Sequence, residues 1–168
     1  MPVYLFTLHA YRTWVPDRPQ GYVRRGKGIL PPDEGLAIAY SRAAREPQAG
    51  LGEREQGIVL AIAHDACFRR NWRLHAIACE ATHTHLLVAW SDTARPGWVG
   101  GKLKNLISRE LNWGLPEKRK WLSRSASRRR VRERSHFEHL VQNYLPGHGG
   151  LFWKEGMAPP GPPASAGG

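Results

Sequence analysis

The sequence is short of cysteine, of acidic residues and of long apolar runs, and each shortage excludes a class of protein. Its 168 residues include only two cysteines, Cys67 and Cys79, so neither a disulfide framework nor a Cys-x-x-Cys metal site is expected. A chain of this length buries enough core to fold without disulfides, which favours a reducing, cytoplasmic setting. No apolar stretch approaches the roughly 20 residues of a membrane helix, and the first residues do not resemble a signal peptide.

Positive charge is what the chain has in excess. It contains 25 Lys and Arg against 14 Asp and Glu, which gives a net charge of +11. Such a balance in a small domain is typical of proteins that bind nucleic acid. A GC-rich genome would also raise the arginine content without any function. The charge therefore predicts a nucleic acid partner, and the lack of a long apolar run predicts no membrane partner.

The hydrophobic pattern changes between the strand period and the helix period along the chain. The apolar spacing predicts strands over residues 3–14, 72–80 and 83–90. It predicts helices over residues 53–70, 99–113 and about 135–145. The order predicts an α+β fold, with a ferredoxin-like antiparallel sheet and helices packed on one face. A clear fourth strand is hard to locate in the pattern.

The composition also predicts how the domain is bounded. One domain should cover residues 1–155. Within it, residues 117–134 are so rich in Arg and Lys that we expect a basic connector. Residues 156–168 consist almost entirely of Pro, Gly, Ala and Ser, a composition that predicts a disordered tail.

Two histidines stand one residue apart in "CEATHTHLLVAW". Because side chains alternate between the faces of a strand, His83 and His85 should share one face, and Thr84 should point to the other. Neutral imidazoles projecting together make a good pair of metal ligands. The alternative is that both are ordinary polar residues on an exposed sheet face, satisfied by water. A pair alone does not complete a metal site, so a third ligand is needed.

The segment "THTHLLVAW" resembles the histidine strand of the HUH nucleases, in particular the single-tyrosine transposases that include the REP-associated tyrosine transposases. The resemblance extends to "LHAYRTWVPDRPQG", to "GKLKNLISRELN" and to the closing segment "WLSRSASRRRVRERSHFEHLVQNYLPGHGGLFW". It covers nearly all of residues 1–155 in order. Thr84 departs from the pattern, because this family usually has a bulky hydrophobic residue between the two histidines.

The resemblance implies a nucleophilic tyrosine and a third metal ligand on the last helix. The matching residues are Tyr144 and, four residues on, His148. If the helix continued, both would lie on one face, although Pro146 and Gly147 favour an end to the helix before His148. Phe137, Leu140, Val141 and Tyr144 also form a helical core stripe, which would make the tyrosine a packing residue.

The activity implied by the resemblance is DNA transposition and recombination. A single-stranded, hairpin-associated DNA would be cut through a 5′-phosphotyrosine intermediate, with Mg²⁺ or Mn²⁺ as cofactor. The alternatives are a nucleic-acid binder without catalysis and a metal-dependent RNA nuclease that uses water. Relatives include monomers and homodimers, so both states stay open. The cationic candidates for contacts with the DNA backbone are Lys102, Lys104, Arg109, Arg128, Arg129 and Arg130.

Overall fold

The computed structural model describes residues 1–24, 27–44 and 46–161. Its strands are β1 (Val3–Ala10), β2 (Tyr22–Arg24), β3 (Gly28–Leu30), β4 (Arg73–Cys79), β5 (His83–Ala89), β6 (Leu122–Val131) and β7 (Phe152–Lys154). Its helices are α1 (Glu34–Ala43), α2 (Glu53–Arg69), α3 (Pro96–Leu111) and α4 (Arg134–His139), and α4 continues into a π-helical segment, Leu140–Tyr144. The α+β class predicted from the sequence is confirmed.

The main sheet has five strands in the order β6-β1-β5-β4-β7, and every neighbouring pair is antiparallel. The first four strands in this order, with α2 and α3 as the two connecting helices, form the ferredoxin-like plan that the sequence predicts. Strand β7 extends this sheet beside β4, and β2 and β3 form a separate small hairpin.

The fourth strand of that plan lies where the sequence predicts a connector. Residues 117–134 contain β6, which pairs with β1 from Ala10 and Leu122 at one end to Val3 and Val131 at the other. The connector prediction is therefore wrong for this segment. Strand β6 is an edge of this sheet, and the side chains of Arg124 and of residues 127–130 are exposed. Charged side chains are a common way to protect such an edge from further pairing.

Helices α2 and α3 pack on one face of the sheet, as predicted, and form the larger core. Leu103 and Ile107 of α3 are buried against Phe6, Leu86 and other residues of that face. Each such side chain contributes about 1.5–3 kcal/mol of hydrophobic stabilisation.

The last helix departs from the predicted placement of all helices on one face. Leu140 and Leu145 pack with Leu87 and Ala78 in a second, smaller core on the opposite face. This face carries the two histidines of β5, and the last helix shields its apolar residues from water. The fold therefore brings the tyrosine-bearing segment directly onto the histidine face.

Three further features correct or complete the sequence predictions. The disordered tail predicted over residues 156–168 is wrong at its start, because Trp153 Nε1 donates a hydrogen bond to the Ala158 carbonyl at 2.9 Å; residues 162–168 lie outside the described part of the chain. Cys67 and Cys79 are buried free thiols. No helix in the described residues has the length and apolar character needed to span a membrane.

Candidate active site

The two histidines of β5 lie together on the sheet face that α4 partly covers. Their ring centroids are 4.8 Å apart. His85 is only 5% exposed, whereas His83 lies nearer the strand end and is half-buried. Thr84 between them points into the larger core and is fully buried, as strand alternation requires.

A third imidazole joins this pair from beyond the last helix. His148 lies in a turn, where its backbone N–H donates to the Leu145 carbonyl at 3.3 Å. One ligand atom from each of His83, His85 and His148 lies within 4.8 Å of the other two. Within the described residues, no other group of three His, Cys, Asp or Glu side chains is placed so that it could share a metal ion.

In each of the three rings, an oxygen atom lies within hydrogen-bonding distance of Nδ1. His148 Nδ1 donates to the Tyr144 carbonyl at 2.9 Å, which leaves the lone pair of the neutral ring on Nε2. His85 Nδ1 is 2.9 Å from Thr7 Oγ1, and His83 Nδ1 is 2.9 Å from Thr82 Oγ1. Outer partners of this kind orient metal-binding histidines. The arrangement is therefore suited to coordination through Nε2.

Burial favours the neutral, metal-binding form of His83 and His85. Loss of solvation, together with the neighbouring His83 and His148 rings, lowers the pKa of His85 to about 3. Burial also lowers the pKa of His83, although the nearby Glu80 carboxylate acts in the opposite direction. Three nitrogen donors with oriented rings fit a divalent transition-metal ion.

Tyr144 is positioned beside the cluster by a local widening of its helix. The Leu145 N–H donates to the Leu140 carbonyl at 2.9 Å, five residues back, which is the π-helical pattern. The Tyr144 hydroxyl lies 3.4 Å from His85 Nε2 and its ring is 42% exposed. The π-helical turn and the turn after it, rather than a continued α-helix, bring Tyr144 and His148 to the same point, with ring centroids 4.9 Å apart. Such π-turns are frequent at functional sites.

The open space beside the cluster is a groove of about 900 Å³, which we call the histidine groove. It is lined by Thr7, His9, Thr13, Trp14, Arg18, Thr82, His83, His85, Ser123, Ala126, Ser127 and Tyr144. His9 pairs with His83 in the strand register, and burial lowers its pKa to about 4. Its ring packs against that of Trp14, with centroids 4.7 Å apart, and the Arg18 guanidinium lies 4.2 Å from the Trp14 ring.

His9, Trp14 and Arg18 are site residues that were not predicted from the sequence. The alternation of β1 places His9 on the same face as Thr7, but only the pairing of β1 with β5 sets it opposite His83. Trp14 and Arg18 lie beyond the end of β1, in a loop whose path no periodicity defines.

The predicted DNA-contacting cations do not form one surface. Arg129 is paired with Leu5 and lies on the histidine face, whereas Arg128 and Arg130, paired with Phe6 and Tyr4, point to the opposite face. The α3 cations also belong to that opposite side, and the Lys104 ammonium donates to the carbonyls of Ser123 and Arg124. Lys102 lies beside Trp98, and Arg109 is exposed.

Comparison with known proteins gives similarity to solved structures alone. No family model matches the chain, and no curated protein does. A REP-associated tyrosine transposase, solved bound to a REP hairpin, shares 10% identity and a TM-score of 0.47 over 86% of this chain. A candidate transposase from Deinococcus radiodurans R1 shares 15% identity and a TM-score of 0.42 over 87% of this chain and 90% of its own. This chain spans 64% of the length of the first neighbour. Both neighbours are described as transposases, the second only as a candidate.

Proposed function

We propose that this protein is a metal-dependent endonuclease and strand transferase for single-stranded DNA, with Tyr144 as its nucleophile. The observation that carries the proposal is the 3.4 Å separation between the Tyr144 hydroxyl and Nε2 of His85, inside a cluster of three histidines. A tyrosine that served only to pack the core would be covered, whereas this ring opens onto the histidine groove.

The proposed reaction exchanges one phosphate ester for another. Tyr144 Oη attacks the scissile phosphorus, the new O–P bond forms, and the bond from phosphorus to the 3′ oxygen breaks in line with it. The tyrosine loses its proton and the departing 3′ oxygen gains one, so the products are a 5′-phosphotyrosine and a free 3′-hydroxyl. Because one ester replaces another, a 3′-hydroxyl can reverse the attack and join strands without ATP.

The tyrosine needs assistance, since its pKa in water is about 10 and the neutral hydroxyl is a weak nucleophile. A divalent ion held by His83, His85 and His148 would polarise the scissile phosphate and offset the charge that develops on it. The three nitrogen donors favour Mn²⁺ over Mg²⁺, which prefers oxygen ligands, and we propose either as the cofactor. His85, fixed by Thr7, keeps its Nε2 directed at the point where the tyrosine oxygen lies.

The substrate proposed is a single strand next to a hairpin. The histidine groove has Arg18 on one wall and the Ser127 hydroxyl on another, and both can donate hydrogen bonds to phosphate oxygens. Arg129 lies on the same face and extends the positive charge along β6. The groove leaves the oligomeric state open, and a monomer or a homodimer could use it.

The test is the formation of a covalent protein–DNA adduct. The protein is incubated with labelled hairpin DNA carrying single-stranded flanks, in Mn²⁺ or in EDTA, and separated under denaturing conditions. We expect an adduct that requires the metal and is lost in Tyr144→Phe but kept in Tyr22→Phe, a matched control in β2. Cleavage without an adduct would replace the proposal by a nuclease that uses water. Binding without cleavage would leave a nucleic-acid-binding protein.

A further inference from the structure

Trp14 forms a wall shared by two cavities. On one side is the histidine groove, and on the other is a second cavity of about 670 Å³ between α1 and the loop after β1. We call the second cavity the aromatic cleft; its walls include Tyr11, Trp14, Ile38, Tyr40, Ser41 and Gln48. A strand that leaves the histidine groove past Trp14 would therefore arrive in the cleft.

The cleft has the chemistry of a site for a flat, neutral group. Trp14 is 42% exposed and Tyr40 is 57% exposed. Both therefore present aromatic surface to water that a bound group could cover. The volume lies within the usual range for small-molecule pockets, and Ser41 and Gln48 add polar atoms for hydrogen bonding.

The same cleft is unsuited to phosphate. Asp17 and Glu34 line it with negative charge. Its one lining cation, Arg12, is already engaged, because its guanidinium donates to the Glu46 carbonyl at 3.1 Å and to Ser41 Oγ at 2.9 Å. A nucleobase fits these walls, whereas the sugar–phosphate backbone does not.

Arg18 supplies the opposite chemistry on the groove side of Trp14. Its guanidinium lies 4.2 Å from the Trp14 ring, and its charge contributes to lowering the pKa of His9 and His83. Within the described ranges no carboxylate lies within 4.0 Å of it. Its free N–H groups therefore suit a phosphate on the histidine side of the tryptophan.

We propose that the aromatic cleft binds one unpaired base that flanks the cut, while Arg18 contacts a phosphate between that base and the scissile phosphate. The inference rests on the proposed action on single-stranded DNA and adds to it a base-binding site. Trp14 is then a positioning residue. It holds the strand in one register, so that a single phosphodiester lies beside Tyr144.

The test is a double-mutant cycle between protein and DNA. Binding is measured at equilibrium in EDTA, in the Tyr144→Phe background, with single-stranded oligonucleotides that carry an abasic sugar at each flanking position in turn. We expect one position at which loss of the base weakens binding about five- to a hundred-fold, the range for one base stacked on an aromatic side chain. In Trp14→Ala or Tyr40→Ala protein, the same abasic sugar should cost less than about two-fold.

The matched control is Trp113→Ala, because Trp113 is 73% exposed and lies just beyond α3. This variant should keep the full abasic penalty, and Trp14→Phe should keep most of it. Thermal unfolding of each variant shows whether the fold is retained. Trp14→Ala with Tyr144 present should also spread cleavage over neighbouring phosphodiesters, which a general loss of stability would not do.

Two results would overturn the inference: abasic penalties that are the same with and without Trp14, or no position at which a missing base matters. Its failure is separate from that of the proposed function. An adduct without coupling to Trp14 would remove the base site alone. Coupling without any adduct would remove the tyrosine chemistry and leave the cleft as a site for an unpaired base.

Discussion

At the scale of single residues, the site depends on atoms that would not themselves touch the metal. Thr7 Oγ1 lies 2.9 Å from His85 Nδ1, and Nε2 of the same ring lies 3.4 Å from the Tyr144 hydroxyl. Thr7→Val removes the hydroxyl and keeps the shape of the side chain. We expect affinity for Mn²⁺ to fall about 10- to 100-fold, the usual effect of losing an outer partner.

Isothermal titration of the free protein with Mn²⁺ measures this change directly. Thr93→Val is the control, because Thr93 is exposed in the loop before α3. Equal affinities in the wild type and in Thr7→Val would mean that the ring is oriented by packing alone.

The buried histidines also make stability depend on pH. The pKa of His85 is lowered from 6.5 to about 3, and that of His9 to about 4. Between these values and 6.5 the unfolded chain binds protons that the folded chain does not, so folding free energy is lost as the pH falls. The stability should be complete above pH 6.5 and decrease toward pH 4.

Urea unfolding in EDTA at a series of pH values measures this slope. His85 alone would add at most about 1.4 kcal/mol per pH unit within the window. The slope should be smaller in His85→Asn, in which this group does not titrate. A wild-type stability that rises on acidification from pH 6.5 would contradict the pKa assignments.

At the scale of elements, the close approach of α3 to the sheet depends on one glycine. A Cβ on Gly100 would lie 2.9 Å from Cδ1 of Phe6, whereas a Cβ on Gly101 would meet nothing within 4 Å. Gly100→Ala should lower the free energy of unfolding by about 1–3 kcal/mol through overpacking. Gly101→Ala should raise it by about 0.5–1 kcal/mol, since alanine is the better helix former.

The two glycines are adjacent on one helix, so chemical unfolding of both variants gives a matched comparison. The sign of the difference is the informative quantity. If both substitutions stabilised the protein, the packing of α3 on β1 would be looser than the structure indicates.

The elements that the sequence predicted are those with a regular apolar period. Helix α2 and strands β4 and β5 each bury a continuous hydrophobic face, and this pattern is legible in the chain. Strand β6 was missed because "LSRSASRRRV" is polar on both faces, and the free edge of a sheet imposes no apolar alternation.

The site was predictable to the extent that it is local. Alternation alone puts His83 and His85 on one face. His9 enters only through the register of β1 against β5. The family resemblance named Tyr144 and His148, but the turn that ends the last helix is what sets His148 beside the pair. Neither the register nor the path of a turn after Pro146 can be calculated from spacing along the chain.

At the scale of the whole molecule, the excess positive charge should control affinity for nucleic acid. Each arginine that contacts a phosphate contributes about one unit to the slope of log affinity against log salt concentration. Arg129 lies on the histidine face, whereas Arg69 is on α2 and is paired with Asp65 at 2.8 Å. Arg129→Ala should lower the slope by about one, and Arg69→Ala should leave it unchanged.

Filter binding of hairpin DNA at several salt concentrations provides the slopes. The Arg69 variant has the same net charge as the Arg129 variant, so it separates a direct contact from the overall field of the protein. Equal slopes in both variants would place the contact surface away from this end of β6.

One chain supplies Tyr144, His83, His85 and His148 to the same site, with the tyrosine hydroxyl 3.4 Å from His85. This arrangement has a genetic consequence. Two copies of the gene, one with Tyr144 replaced and the other with His85 replaced, should be unable to restore each other's activity in one cell. Each defective copy would lack a part of the site that its own chain supplies. Restored activity would instead indicate a homodimer in which one copy supplies the tyrosine to the other.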